Sequence, residues 1–368
     1  MCLCGLVALS LVALLSGPIP FILGLVLGVL PVPLLVLAVL ALDRLEPEPT
    51  RRLAFSFAWG AGLAVLFAGV INTLGMSLTT NLLGPQDGRL VSAAVGAPIV
   101  EETLKGIVIA GFLWFGRQEV DGPTDGIVYA GMVGIGFAMT ENILYYAQAA
   151  NQQGLGALVG TFVLRGLISP LAHPLFTSMI GMALGYAALK RGKATRFGLG
   201  LLGLLAAMVL HGLWNFAAST NIAFLLVYYV AVLVPILAGV ILVTVLDRRR
   251  TVRLIARQLP QYDQYGLVTP DDVQMLAKLS YRRRARFWAR AHGGPVAWRA
   301  MRDYQLAATE LALLEDRVER GVAKPEIAPR RRDSLARLMG ATREAFMRPV
   351  GDQPAAPPWA APPPPPSR

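Results

Sequence analysis

The chain has 368 residues, 55% of them hydrophobic and only 15% charged, with a net charge of +11. A mean hydropathy of +0.53 excludes an ordinary soluble globular domain and describes an integral membrane protein. From Asp247 onward lie 23 of the 34 Lys and Arg against 13 of the 23 acids, so +10 of the net charge belongs to the C-terminal part and the apolar part is nearly neutral.

Taken in chain order, the first apolar run, LCGLVALSLVALLS, lacks a basic n-region and leads through GPIP into a second run, which predicts a retained span and not a signal peptide. Cys2 and Cys4, the only cysteines, sit too close together to build a disulfide framework or a cysteine metal site. Runs of roughly 17 to 25 mainly apolar residues predict about eight spans, at 3–17, 19–42, 53–75, 92–115, 125–148, 160–189, 197–217 and 221–246. None alternates as a lipid-facing barrel strand does, so the fold class is all-α, a polytopic membrane helix bundle over 1–246.

Beyond it, 247–350 reads as a basic, helical cytoplasmic region. Thr269 followed by PDD is a helix cap; helices are expected near 271–291 and 297–320, folded as a hairpin about HGGP at 292–295, with Met301, Leu306, Leu311, Leu314 and Val318 on one packed face. YRRRARFWAR at 281–290 suits anionic lipid headgroups better than nucleic acid, which is not expected as a partner. The proline-rich end, 351–368, has the composition of a disordered tail.

Arg44, Arg51 and Arg52, then Lys190, Arg191, Lys193 and Arg196, then the basic C-terminal region, mark loops separated by even numbers of spans. One orientation puts all of them, and both termini, in the cytoplasm, with Arg89 as the exception.

Few ionisable residues lie within the spans: Glu101, Glu102, Lys105, Glu141, Arg165, His173 and His211. A central charge costs about 2.5 to 3.5 kcal/mol on insertion, so Glu101, Glu102 and Lys105 together would cost roughly 8 to 10 kcal/mol if unpaired. Lys105 is one helical turn from Glu101 and can match it, whereas Glu102 is expected to need a partner elsewhere. On the predicted topology the fourth to seventh spans bring these carboxylates and imidazoles to similar depths in the outer half of the membrane, Glu101 and Glu102 roughly 15 Å below the outer face. Four helices converging in this way can enclose one polar cavity.

Two imidazoles with several carboxylates are the parts of a hydrolytic zinc site, in which two histidines and a carboxylate hold the metal and a further carboxylate takes a proton from water. Asn215, four residues after His211, suits orienting that histidine or donating to an oxyanion; Thr177 stands in the same relation to His173. The other chemistry open to buried carboxylates is a proton- or cation-coupled transporter, although no pair of interrupted segments in equivalent halves is evident.

DRLEPEP at 43–49, EETLK at 101–105, FAMTEN at 137–142, the run from Arg165 to HPLFT ending at 177, and HGLWN at 211–215 occur in the order found in the PrsW family of intramembrane proteases, distant relatives of the CAAX-type prenyl proteases, which the chain resembles over about 19–246. The resemblance implies cleavage of membrane-anchored proteins such as anti-sigma factors. It matches Glu101, Glu102, Glu141, His173, His211 and Asn215 to active-site positions. We assign Glu101, Glu102 and Asn215 to catalysis and Glu141, His173 and His211 to a zinc ion; a glutamate-activated water without metal is the other mechanism. The FxxxE carried by Phe137 and Glu141 replaces the FxxxH usual in the CAAX relatives and shifts the set toward carboxylate.

Overall fold

The computed structural model describes residues 1–42, 45–115 and 120–347; Asp43 and Arg44 of DRLEPEP and the proline-rich end lie outside the described residues. The described chain is helical, without strands, and divides into two units: Met1–Asp43 with Glu48–Thr244, and Arg44–Pro47 with Val245–Arg368.

In the first unit, α1 (Cys2–Ser16), α2 (Pro18–Val29) and α3 (Val32–Leu40) precede α4 (Thr50–Ala58), which continues through a π-helical turn into α5 (Val65–Leu83). A short α6 (Pro85–Val91) and a second π turn, Ser92–Gly96, lead into α7 (Ala97–Phe115). Then come α8 (Pro123–Phe162), a π turn at Val163–Ile168, α9 (Ala172–Ala188), α10 (Lys193–Thr220), α11 (Ile222–Tyr228) and α12 (Val234–Gln258). A helix satisfies its own backbone groups in hydrocarbon, and these apolar runs, which lack the alternation of barrel strands, take that form among the described residues.

Among the described residues, five helical stretches are long and apolar enough to cross a membrane: Pro18–Leu40, Thr50–Leu83, Pro123–Ala188, Lys193–Thr220 and Ile222–Gln258. The sequence reading counts about eight. Of its further three, Cys2–Ser16 has 15 residues, about 22 Å of helix against a hydrocarbon core of about 30 Å. Ala97–Phe115 carries three ionisable residues. Two expected spans lie within the single stretch Pro123–Ala188, which doubles back at Gly154, where φ is 81°. Past that glycine the chain runs antiparallel to itself, so that the rings of Tyr146 and Phe162 meet at 5.8 Å and Arg165 reaches Asn142. A residue with a Cβ adopts this backbone only with strain.

The N-terminal half of α8 is the centre of the unit, buried almost without interruption from Pro123 to Ala138. It packs most extensively on α9, and the closest approach is glycine on glycine: a Cβ at Gly126 would lie 1.9 Å from the Gly181 carbonyl oxygen, and one at Gly181 2.0 Å from that of Gly126. Small residues that let backbones touch are the usual device of membrane helix packing.

The second unit has its own apolar core, built on Ile255, Leu259, Met275, Met301, Leu311 and Met339. Thr269 caps α13 (Pro270–Ala277) in a reciprocal box with Asp272. Next, α14 (Leu279–Glu319) turns back at Gly294, φ 66°, so Arg282 bonds Thr309 and Arg286 bonds Gln305 across an antiparallel hairpin. Of the face expected from the sequence, Met301, Leu311 and Leu314 are buried and Leu306 is half-buried, whereas Val318 is exposed one residue before the helix ends. α15 (Ala328–Met347) closes this core, and Arg332 grips Glu315 through both carboxylate oxygens while Tyr262 donates to the same group.

Two outcomes follow. Gly126→Ala or Gly181→Ala forces α8 from α9 and lowers stability in detergent by about 1–3 kcal/mol, whereas Gly69→Ala, with nothing within 4 Å, leaves it near the wild-type value; thermal unfolding of the three variants checks this. Burial pushes the Glu315 carboxyl up, but the hydrogen bonds from Arg332 and Tyr262 and the Arg332 charge outweigh it and hold the group below its ordinary value of 4.5. A depressed carboxyl stabilises the fold above its unfolded pKa and ceases to as pH falls through the folded one. Protection of the Ala328–Met347 amides, taken relative to intrinsic exchange at each pH, therefore falls in acid in the wild type, and Glu315→Gln flattens that acid limb.

Candidate active site

The charged residues of α7 are deeply buried: the side chains of Glu102 and Lys105 have no solvent exposure. The sequence expectation that Lys105 serves Glu101 and leaves Glu102 to other helices is corrected by the geometry. Lys105 Nζ lies 2.8 Å from Glu102 Oε1 and 3.3 Å from Glu101 Oε2. A lysine stem reaches both the i−3 and the i−4 neighbour, and a single ammonium carries donors enough for both. Its third contact is His173 Nδ1 at 3.1 Å, and the face of Phe137 lies 3.8 Å from Nζ. Phe137 and Glu141 are one turn apart on α8, so the FxxxE spacing brings an aromatic face to the ammonium and a carboxylate to the histidine.

Glu102 is held from three directions. Besides Lys105, its Oε1 lies 3.0 Å from His211 Nδ1, and Thr177 donates to Oε2 at 3.0 Å. A carboxylate only accepts, so His211 presents its Nδ1 proton to Glu102 and keeps the Nε2 lone pair, which faces Glu101 Oε2 at 3.9 Å. Phe176 stacks on the His211 ring at 5.1 Å and 16°, fixing its plane.

His173 stands in the first turn of α9, just after the break at Ser169–Leu171. Lys105 can only donate, so His173 Nδ1 accepts and the Nε2 proton goes to Glu141 Oε2 at 2.9 Å. Glu141 is in turn ion-paired with Arg165 of the π turn, whose Nε also donates to Asn142 Oδ1 at 2.7 Å. Exposure rises outward through this chain, from nothing at Lys105 to 14% for the Glu141 side chain and 22% for that of Arg165, with half-exposed Tyr145 beneath the guanidinium.

The six residues singled out in the sequence occupy different stations. Glu101, Glu102, His173 and His211 share one cluster, with Glu141 against His173 from its outer side. Asn215 directs its amide to the Ala93 carbonyl at 2.9 Å, tying α10 to the π turn before α7; its second amide proton is not used in that bond. Asn72 was missed: it donates to Glu101 Oε1 at 3.1 Å, and a lone asparagine in the apolar run AGVINTLGM was the signal. Phe137 was read only as the first residue of FxxxE and Phe176 only as part of HPLFT; neither was given a role, because nothing in the sequence shows which ring meets Lys105 or His211.

Ligand atoms of Glu101, His173 and His211, one from each, lie within 4.8 Å of one another, the group among the described residues whose donors could hold a metal ion. The donor set fits a divalent cation of the zinc type, since two imidazoles and a carboxylate are the ligands of hydrolytic sites and each imidazole leans on a further carboxylate through its other nitrogen; to bind an ion, His173 Nδ1 would have to release the Lys105 ammonium it now accepts from. Three carboxylates against Lys105 and Arg165 also leave one negative charge in the cluster when the imidazoles are neutral. Glu141, grouped with the histidines in the sequence reading, stands in this geometry as the outer partner of His173, and Glu101 faces the histidines in its stead.

Comparison with known proteins places these residues in a family context. The model of the PrsW family intramembrane metalloproteases matches residues 48–240. Curated relatives called Protease PrsW are similar over part of the chain: 37% identical over 95 residues in Geobacillus kaustophilus, 27% over 195 in Clostridioides difficile and 30% over 145 in Oceanobacillus iheyensis. These matches cover 26%, 52% and 38% of this chain, and 38%, 78% and 60% of the relatives. No solved structure matches.

Removing the Thr177 donor by Thr177→Val leaves one oxygen of a fully buried carboxylate without its partner. The expected loss is about ten- to a hundredfold in turnover with about 1–3 kcal/mol of stability, as read from single-turnover rates beside thermal unfolding.

Proposed function

The chain belongs to the PrsW family of intramembrane metalloproteases, and we propose that its Glu/His cluster hydrolyses a peptide bond of a membrane-anchored protein, an anti-sigma factor or a protein of similar architecture. The observation that carries the proposal is the convergence of Glu101, Glu102, His173 and His211 from three helices around one buried point. A bundle that needed only to neutralise Lys105 would not also bring in two oriented imidazoles.

In this reading α1 and α7 cross the membrane with the five longer stretches, the stretch through Gly154 crosses twice, and both termini are cytoplasmic. The site then opens in the outer half of the bilayer, and the substrate's outer-leaflet segment approaches along the more exposed side marked by Glu141, Arg165 and Tyr145.

Each side chain has a task in the reaction. The Glu101–Glu102 pair accepts the proton of the attacking water and returns it to the amide nitrogen as the C–N bond breaks, and Lys105, shared between the two, keeps their charge tolerable in a dry environment. Glu102 orients His211, and Glu141, steadied by Arg165, orients His173, so each ring turns a fixed nitrogen inward. Asn215 offers its second amide proton to the carbonyl oxygen as charge develops there. Glu101, His173 and His211 are the residues that would hold a zinc ion, which when bound supplies Lewis acidity and a more acidic water.

The test is co-expression of a candidate anti-sigma factor with the wild type, Glu102→Gln and His211→Ala. The wild type releases a truncated product and each variant reduces it by at least about a hundredfold. Undiminished cleavage by both variants overturns the assignment.

A further inference from the structure

Between Asp272 and Asp303 the chain holds eight cations, Lys278, Arg282, Arg283, Arg284, Arg286, Arg290, Arg299 and Arg302, and no acid. The fold consumes some of them. Arg282 is buried and donates to the carbonyls of Leu276 and Leu45 and to Thr309, Arg286 bonds Gln305, and Arg302 pairs with Asp303. The set as a whole is crowded: burial first, then the charges of Arg283 and Arg302, hold the Arg286 guanidinium below its usual range. Such a surface is electrostatically unfinished and gains from an anionic partner.

Apolar residues stand in the same field. Phe287 is 63% exposed on the outer side of α14, one helical turn from exposed Arg283, Arg284 and Arg290; beyond the Gly294 turn Val296 is 72% exposed beside exposed Arg299. Packing explains neither, since the inward side of the same helix is filled by Ala285, Ala289 and Ala297. An aromatic ring encircled by guanidiniums is the arrangement by which an interfacial helix sinks an anchor past headgroups while its cations meet their phosphates. The chain also enters this unit directly from an apolar helix long enough to cross a membrane. A bilayer is thus the anionic surface always within reach.

We propose that the outer side of α14 around Phe287 is a docking surface for an anionic bilayer, with Arg283, Arg284 and Arg290 on lipid phosphates and Phe287 inserted between the headgroups. The surface acts apart from the hydrolytic cluster and stands whether or not that cluster cleaves peptides. Each arginine near an anionic surface contributes about a factor of five to occupancy, so the three together contribute about a hundredfold, less as salt rises.

The experiment uses the full chain with Cys2 and Cys4 replaced by serine and a spin label on Ala291→Cys, reconstituted in nanodiscs of phosphatidylcholine with or without phosphatidylglycerol. In the phosphatidylglycerol discs the label gains collisions with oxygen and loses them with a water-soluble nickel chelate; high salt reverses both shifts, as does Arg283→Gln with Arg284→Gln and Arg290→Gln. The same background with Phe287→Ser retains its charges and loses the oxygen gain. Equal collision rates in the two kinds of disc, or a shift that survives both salt and the triple variant, overturn the proposal. So does binding of a labelled oligonucleotide that the triple variant abolishes while lipid composition has no effect, because the surface then belongs to nucleic acid. The salt arm needs no variant, so a misfolded mutant does not leave the question open.

Discussion

An ammonium buried among carboxylates sets the terms for the membrane unit. Lys105 has no exposure, yet it touches Glu101, Glu102 and His173 and lies against the face of Phe137. Removing one member of a buried ion pair leaves an unpaired charge that costs about 3–5 kcal/mol, so each neighbour of this ammonium is held in place by the others. Because those neighbours come from α7, α8 and α9, with α10 joined through His211 and Glu102, the electrostatics of one side chain fix how four helices meet. The arrangement that makes Glu101 and Glu102 tolerable in an apolar bundle is the same one that orients two imidazoles.

Packing makes that convergence available. Glycine-to-glycine contact brings α8 and α9 backbone to backbone, which carries His173 to Glu141 and Thr177 to Glu102. The reversal at Gly154 returns the chain so that Arg165 reaches Glu141 and Asn142. Glycine has two uses here, small size at the helix contact and left-handed backbone at the turn, and both serve the site. The basic unit is organised differently, around an apolar core with buried Arg–acid pairs, and leaves its remaining arginines on the surface.

Much of the site was legible in the sequence because charge is so rare in these runs. Glu101, Glu102, His173 and His211 stood out against apolar neighbours, and each lies in the cluster. What periodicity could not supply was partnership. One turn of helix relates Lys105 to Glu101, but the shorter contact is to Glu102, since a long flexible stem is not confined to one spacing. Glu141 carries the right chemistry for a metal ligand, yet the pull of Arg165, twenty-four residues on and across a hairpin, places it behind His173. Span counting met a similar limit: Pro123–Ala188 is one helical stretch by hydropathy, and only the backbone at Gly154 reveals the reversal. In the basic unit, the Thr269 cap and the turn at Gly294 follow local rules and were readable; the grip of Arg332 on Glu315 is a contact between distant helices and was not.

The most direct test of the account is whether the purified chain, alone in proteoliposomes, hydrolyses a membrane-anchored substrate in water enriched in oxygen-18. The account predicts one heavy oxygen in the newly formed carboxyl terminus, with no product from Glu101→Gln or Glu102→Gln protein that retains its helical fold. An intact substrate with the wild type, or equal product from the glutamine variants, would contradict it.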